Sequence, residues 1–312
     1  MAKTKKKKSQ APVALVYFLT LLLFMAIFAF IATKLLKKVT FDKTSSTTDT
    51  VRTDHSFSLM FARTNQMGSL CDVAVYKVIP EENHVIIVPL PAETVDSSTG
   101  KLFKETYISG GITNLKQSVE QTLNISIDHY VTVSEGAFES IFDIIGGVIF
   151  TPSEELYRIS ENDDEADISY RAGIPVELTA RQARILLASG LLPEGKKSEQ
   201  DLFASILNQL TVNAFQQATL TKNSLDNIFN KLVNGGQTDY TNADYRENKP
   251  YLTELLDKNI KPVLLKKPDG EWKEDDRFVI AQTFMNELAE VYGIKAVNGG
   301  AALTADDASQ TD

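Results

Sequence analysis

The sequence predicts an α/β fold: a mixed central β-sheet covered by helices on both faces, preceded by one N-terminal transmembrane helix. Three observations predict it. Short β-rich runs alternate with amphipathic stretches of helical period. Several of those stretches stop at glycine pairs, such as Gly146-Gly147 and Gly235-Gly236. Finally, an uncharged run from Ala11 to Ala32 lies between groups of lysines. At about 1.5 Å per residue it is long enough to span a hydrocarbon core of ~30 Å.

The run is longer than the apolar core of a cleaved signal and ends without a clean small-residue cleavage site. It is apolar all round, unlike the amphipathic helix of a soluble domain. A retained anchor is the expectation. Lys3, Lys5, Lys6, Lys7 and Lys8 precede it, so the positive-inside rule places the N-terminus in the cytoplasm and the C-terminal domain outside. The expected organisation is a basic cytoplasmic tail over 1–10, the transmembrane helix over 11–36 and a flexible spacer over 37–55. An extracellular domain over 56–296 and a disordered acidic tail over 297–312 follow. The localisation expected is a single-pass protein of the cell membrane.

Beyond the spacer, Phe57–Phe61 and Val73–Ile79 are β-rich, and Glu81-Glu82-Asn83 turns the chain into a strand over His84–Leu90. Ile112, Leu115, Val119 and Leu123 share a helical face entered through Gly110-Gly111. His129–Val133 alternates as a strand. Phe138, Ile141, Phe142 and Ile145 mark a second helix, and Val148–Phe150 a short buried strand. Glu154–Tyr170 reads as an acidic irregular segment. Helices follow over Thr179–Ser189 and Gln200–Gln216, and along the stripe Leu225, Ile228 and Leu232. Asn248 is placed as the cap of a helix through Leu256, Val263–Leu265 as an edge strand, and Asp275–Tyr292 as a terminal helix.

The chain carries 32 basic and 41 acidic residues. Eight of the lysines lie in the first 38 residues, which hold no acid. The remainder therefore has 24 basic against 41 acidic residues, a net charge near −17. Such a domain repels phosphate backbones, and nucleic acid is excluded as a partner. The lone Cys71 adjoins a strand and reads as a buried small hydrophobe. His55, His84 and His129 show no ligand spacing. Residues Glu161–Asp167 lack the glycine and terminal glutamate of a calcium loop, so they read as a solvated acidic loop.

The stretch from Tyr107 to Pro152 runs through a helix, then Ile-Asp-His-Tyr-Val-Thr-Val, then a second helix ending Gly-Gly-Val. With Leu178-Thr179-Ala180-Arg181-Gln182-Ala183 further on, it resembles the LytR-CpsA-Psr family of cell-envelope proteins, over roughly Phe57 to Tyr292. The resemblance implies an external domain that moves a polyprenyl-pyrophosphate-linked glycopolymer onto peptidoglycan with the help of Mg2+. Membrane, polyprenyl-phosphate lipid, envelope glycopolymer and peptidoglycan are the partners it implies. Phosphoryl transfer requires cations around phosphate oxygens and carboxylates for the metal.

The family's arginines are largely missing. Its Arg-Ser-Asp-Thr motif falls on Leu70-Cys71-Asp72-Val73 and its Pro-Arg-Asp-Thr motif on Pro91-Ala92-Glu93-Thr94. Its Tyr-x-Arg-x-Arg run falls on Leu186 to Gly190, without a cation, and its Gly-Arg-x-x-Arg-Gln motif on Gly195-Lys196-Lys197-Ser198-Glu199-Gln200. The early Gly-x-Asp loop falls near Ala62-Arg63-Thr64. The resemblance thus implies Asp72 and Glu93 as catalytic and metal-holding carboxylates, with strand-end carboxylates facing solvent as the other reading. Arg63, Lys196 and Lys197 are the candidate ligand-binding cations. Each preorganised contact to developing charge is worth about 3–4 kcal/mol, so the losses favour a non-catalytic binding or accessory module in cell-envelope assembly. The alternative is a divergent but active phosphotransferase. The two differ in whether these five residues converge.

Overall fold

Alternation decides the layers. The computed structural model describes residues 55–159, 167–258 and 263–292. Five strands form the central sheet: β1 (Phe57–Thr64), β2 (Leu70–Ile79), β3 (His84–Pro91), β4 (His129–Ser134) and β9 (Val263–Leu265), in the order β4-β1-β2-β3-β9. The central pairs β1–β2 and β2–β3 are antiparallel, while β1–β4 and β3–β9 are parallel. The sheet is therefore mixed, and β9 is the edge strand that Val263–Leu265 predicted.

Successive side chains point to opposite faces. Met60, Ala62, Val73, Val75, Ile86 and Val88 bury against α1 (Phe103–Leu123) and a helix carrying Phe284 and Leu288. Ala74, Val78, Val85, Ile87, Val131 and Val133 bury on the other face. There they meet α2 (Glu135–Ile145), α3 (Ala180–Leu186) and α4 (Lys196–Gln216) through Phe138, Phe142, Ile185, Phe203 and Ile206. Both faces are covered, as the sequence predicts. Helices α5 (Ala218–Asn234), α6 (Asn242–Asp257) and α7 (Gln282–Val291) complete the helical set among the described residues.

Several boundaries differ from expectation for local reasons. Helix α1 begins at Phe103, seven residues before Gly110, and breaks at Gly111, whose φ of 67° and ψ of −166° suit only glycine. The segment Glu154–Tyr170 contains two strands, β6 (Leu156–Arg158) and β7 (Ile168–Tyr170), paired as a hairpin. The strand Val148–Phe150 (β5) finds its partner in β8 (Val176–Leu178). Helix α6 is capped by Thr241 and Asp244 rather than by Asn248, which lies inside it. The terminal segment 275–292 is not one helix. A hairpin of β10 (Gly270–Trp272) and β11 (Phe278–Ile280) precedes α7. Cys71, expected to be buried, is only half-buried, because its side chain points to the opposite face of β2 from Asp72 near the strand's start.

The expected tail over 1–10, transmembrane helix over 11–36, most of the spacer over 37–55, and tail over 297–312 lie outside the described residues, as does nearly all of the acidic loop. Among the described residues no helix is long and apolar enough to cross a membrane.

Candidate functional site

Antiparallel register places the first pair. Arg63 near the end of β1 stands opposite Asp72 near the start of β2, and Asp72 stands opposite Pro91 at the end of β3. Both charged side chains share the face covered by α2 and α4. Arg63 is 1% exposed and Asp72 6%. Arg63 Nε donates to Asp72 Oδ2 at 2.9 Å, and Nη2 donates to the same oxygen. The guanidinium carbon lies 5.8 Å from the ring centroids of both Phe138 and Phe203. Burial pushes the Asp72 carboxyl above its ordinary value, more than Arg63 pulls it down.

Glu93 follows β3 by two residues and is 6% exposed. The first turn of α1 brings Lys104 Nζ to 3.2 Å from Glu93 Oε1. The first turn of α4 brings Lys196 Nζ to 3.9 Å from the same oxygen and 2.8 Å from Glu199 Oε2. Gly195, at φ 55°, lets the chain enter α4 in the orientation that makes this possible. Burial works against the Lys196 ammonium, yet Glu199, Glu93 and Asp72 together hold its pKa above the ordinary lysine value. Glu135, in the first turn of α2, is buried and faces Arg184 Nη1 at 3.8 Å, while Arg184 Nε donates to Glu139 at 2.5 Å.

The structure thus brings together Arg63, Asp72, Glu93 and Lys196. It leaves Lys197 outside, 53% exposed and paired with Glu194 at 2.8 Å. Adjacent helical residues point about 100° apart, so both lysines cannot face one cluster. Sequence reasoning missed Lys104, Glu135 and Arg184, and took Glu199 only as a lost arginine. Glu199 had a legible signal, since it lies three residues after Lys196 on a helix. Arg184 restores a cation just ahead of the stretch Leu186 to Gly190. One buried donor of the cluster, Arg63 Nη1, has no acceptor among the described residues.

The fit of a divalent metal can be tested on the donors. Mg2+ takes six oxygens in octahedral geometry at about 2.0–2.1 Å. Here each carboxylate expected to hold it is engaged by a side-chain cation: Asp72 by Arg63, and Glu93 by Lys104 and Lys196. Among the described residues no three acidic, histidine or cysteine side chains group as metal ligands. The residues as arranged do not fit the ion. Burial also pushes the Cys71 thiol up, away from a reactive thiolate.

A separate cavity has a different character. A cavity of about 350 Å3 is lined by Gln121, Asn124, Gln282 and Asn286, with Ser97, Thr122 and an apolar floor that includes Val95, Ile280 and Met285. None of its lining residues is charged.

The model of the LytR_cpsA_psr family matches residues 75–291. The chain is 29% identical over 90 residues to a polyisoprenyl-teichoic acid–peptidoglycan teichoic acid transferase, TagU, of Bacillus cereus; the match covers 28% of this chain and 30% of that one. Among solved structures, TagV of B. subtilis superposes with a TM-score of 0.60 at 19% identity, covering 77% of this chain and 98% of its own. A putative transcription regulator of Eubacterium siraeum superposes with a TM-score of 0.62 at 17% identity, covering 81% and 99%. At these identities the two structures show the shared fold alone.

Proposed function

This chain belongs to the LytR_cpsA_psr family, and from that premise we propose that it is a membrane-anchored, extracytoplasmic module of cell-envelope glycopolymer assembly that binds rather than transfers. One observation carries the non-catalytic part. Every cation of the charged cluster is already paired with a carboxylate: Arg63 with Asp72, Lys104 and Lys196 with Glu93, and Lys196 with Glu199.

A pyrophosphate needs cations whose field is not spent. Its transfer needs donors aimed at the charge that develops, each worth about 3–4 kcal/mol. Arg63 cannot turn toward a substrate without leaving Asp72 uncompensated in the protein interior. Lys197 is exposed but held apart from the cluster. The anchor rests on the lysine-flanked run Ala11–Ala32. The glycopolymer setting is supported by what the matched transferase is named for, although the match covers less than a third of that relative.

The neutral cavity is the surface we assign to the glycan. Carboxamides each offer a donor and an acceptor, which suits sugar hydroxyls, and the absence of charge suits an uncharged saccharide. The transferase reading keeps two observations in its favour: four of the five candidate residues, Arg63, Asp72, Glu93 and Lys196, converge, and the buried Arg63 Nη1 has no acceptor among the described residues.

The deciding experiment supplies the membrane-reconstituted chain with a polyprenyl-pyrophosphate-linked glycopolymer, peptidoglycan and Mg2+. The expected result is no release of polyprenyl phosphate and no product on peptidoglycan. Metal-dependent turnover that disappears in Asp72→Ala establishes the enzyme instead.

A further inference from the structure

We propose that Lys196 is a resident cation that takes the place of a divalent metal between Glu93 and Glu199. The inference rests on the binding reading above and gives it a physical cause. The two carboxylates come from different elements, Glu93 from the chain after β3 and Glu199 from the first turn of α4. They are 6% and 7% exposed. Two buried carboxylates facing one region are costly unless a cation lies between them. The Lys196 ammonium supplies it, 2.8 Å from Glu199 Oε2 and 3.9 Å from Glu93 Oε1.

A metal ion would need those same oxygens. Mg2+ commonly uses one or two carboxylates and keeps several waters, so Glu93 and Glu199 without the ammonium are a sufficient protein contribution. With the ammonium present, a dication meets a positive charge where its ligands should be free. Lys104 adds a second cation to Glu93 Oε1, but it is half-exposed and reaches across from α1. Asp72 is committed to Arg63. Lys196 is thus the side chain that contacts both carboxylates; its removal frees Glu199 Oε2 and leaves Glu93 Oε1 with the half-exposed Lys104 alone. A tethered ammonium cannot dissociate, so the fold of this chain needs no metal supply.

The test is a gain of metal binding. The full-length chain in detergent is melted with and without Mg2+, as wild type, Lys196→Met and Lys197→Met. Wild type and Lys197→Met are expected to melt at one temperature whatever the metal. Lys196→Met is expected to melt lower in chelator and to recover by about 5–10 °C when Mg2+ reaches a hundredfold excess over its Kd. Adding Glu199→Gln to Lys196→Met should abolish that recovery. Lys196→Gln, with Mn2+ binding read by paramagnetic resonance, serves if the methionine variant does not fold.

A wild-type protein that binds either metal overturns the inference. So does a lysine variant that neither recovers with Mg2+ nor binds Mn2+, because Lys196 is then an ordinary ion-pair partner. The second outcome leaves the binding function standing. Metal-dependent transfer by wild type overturns both.

Discussion

The chain from Glu93 to Ser97 passes from a buried charged cluster to the lining of an uncharged cavity, and the two are built on opposite principles. Glu93 belongs to a cluster in which cations and carboxylates satisfy each other. Val95 and Ser97 belong to a cavity lined by carboxamides, hydroxyls and apolar side chains without charge. The cluster has strong groups with little field left for a ligand. The cavity has weak, neutral groups that are only partly engaged: Gln121 accepts from Ser98 Oγ at 2.9 Å, Gln282 Nε2 donates to Asn286 Oδ1 at 3.4 Å, and Thr122 Oγ1 accepts from Ser97 N at 3.4 Å. Where a site's strong groups are mutually spent, its weaker neighbour becomes the better binding surface.

The largest effect should come from breaking the buried half of the cluster. Arg63→Ala leaves the Asp72 carboxylate buried without its cation, and Asp72→Ala leaves the guanidinium likewise. Each should cost about 3–5 kcal/mol of folding stability, measured by chemical denaturation. The double change Arg63→Met with Asp72→Leu should recover most of that loss, because two apolar groups of similar size need no pairing. A nearly neutral Arg63→Ala would mean that the guanidinium is not committed to Asp72, and the contrast between the two regions would collapse. By comparison, Lys104→Ala removes a half-exposed partner and should cost no more than about 1 kcal/mol.

How much of this was legible in the sequence follows from which interactions are local. The long strands of the central sheet and their two-faced burial were readable, because alternation is written in neighbouring residues. Helix α2 stops at Gly146, as its glycine pair indicated. The three-residue strands β6, β7, β8 and β10 were not readable, since their pairing depends on partners rather than on pattern. The run Asp275–Tyr292 looked like one helix because Phe278, Phe284 and Leu288 are all apolar and buried, but Phe278 enters the core from a strand. The cluster was half legible. Asp72, Glu93, Arg63 and Lys196 came from motif positions, but their pairing depends on the register Arg63↔Asp72, which only the folded sheet supplies. Lys104 was hidden because α1 starts earlier than its apolar stripe.

A medium effect should separate the cavity from the cluster. Gln121→Ala with Asn286→Ala removes two carboxamides from the cavity wall. At about 1 kcal/mol for each hydrogen bond lost, affinity for an uncharged envelope saccharide should fall by about thirtyfold. Calorimetric titration reads this, and a melting curve should show stability unchanged, since both side chains are exposed. Unaltered binding in this variant, combined with weakened binding in Lys196→Met, would move the glycan to the charged cluster.

The smallest effect is a shift in acid stability, and it probes the short connection between the two regions. Asp96 lies between Val95 and Ser97 and is 2% exposed. Its partners are neutral donors: Ser98 N donates to it at 2.8 Å, Ser98 Oγ at 2.7 Å and Ser118 Oγ at 2.6 Å. Burial alone would raise its pKa, but these donors more than offset that and hold the carboxyl below its ordinary value. A carboxyl depressed in the folded state contributes stability that is fully present above its unfolded pKa of about 3.9 and is lost as pH falls through the folded value. Ser118→Ala removes a donor, so the folded value should move up and the acid-unfolding midpoint should shift to higher pH. The neutral-pH melting temperature should fall only slightly. An unmoved acid midpoint would show that the serine hydroxyl does not hold this carboxylate, and that the wall between the two regions stands without it.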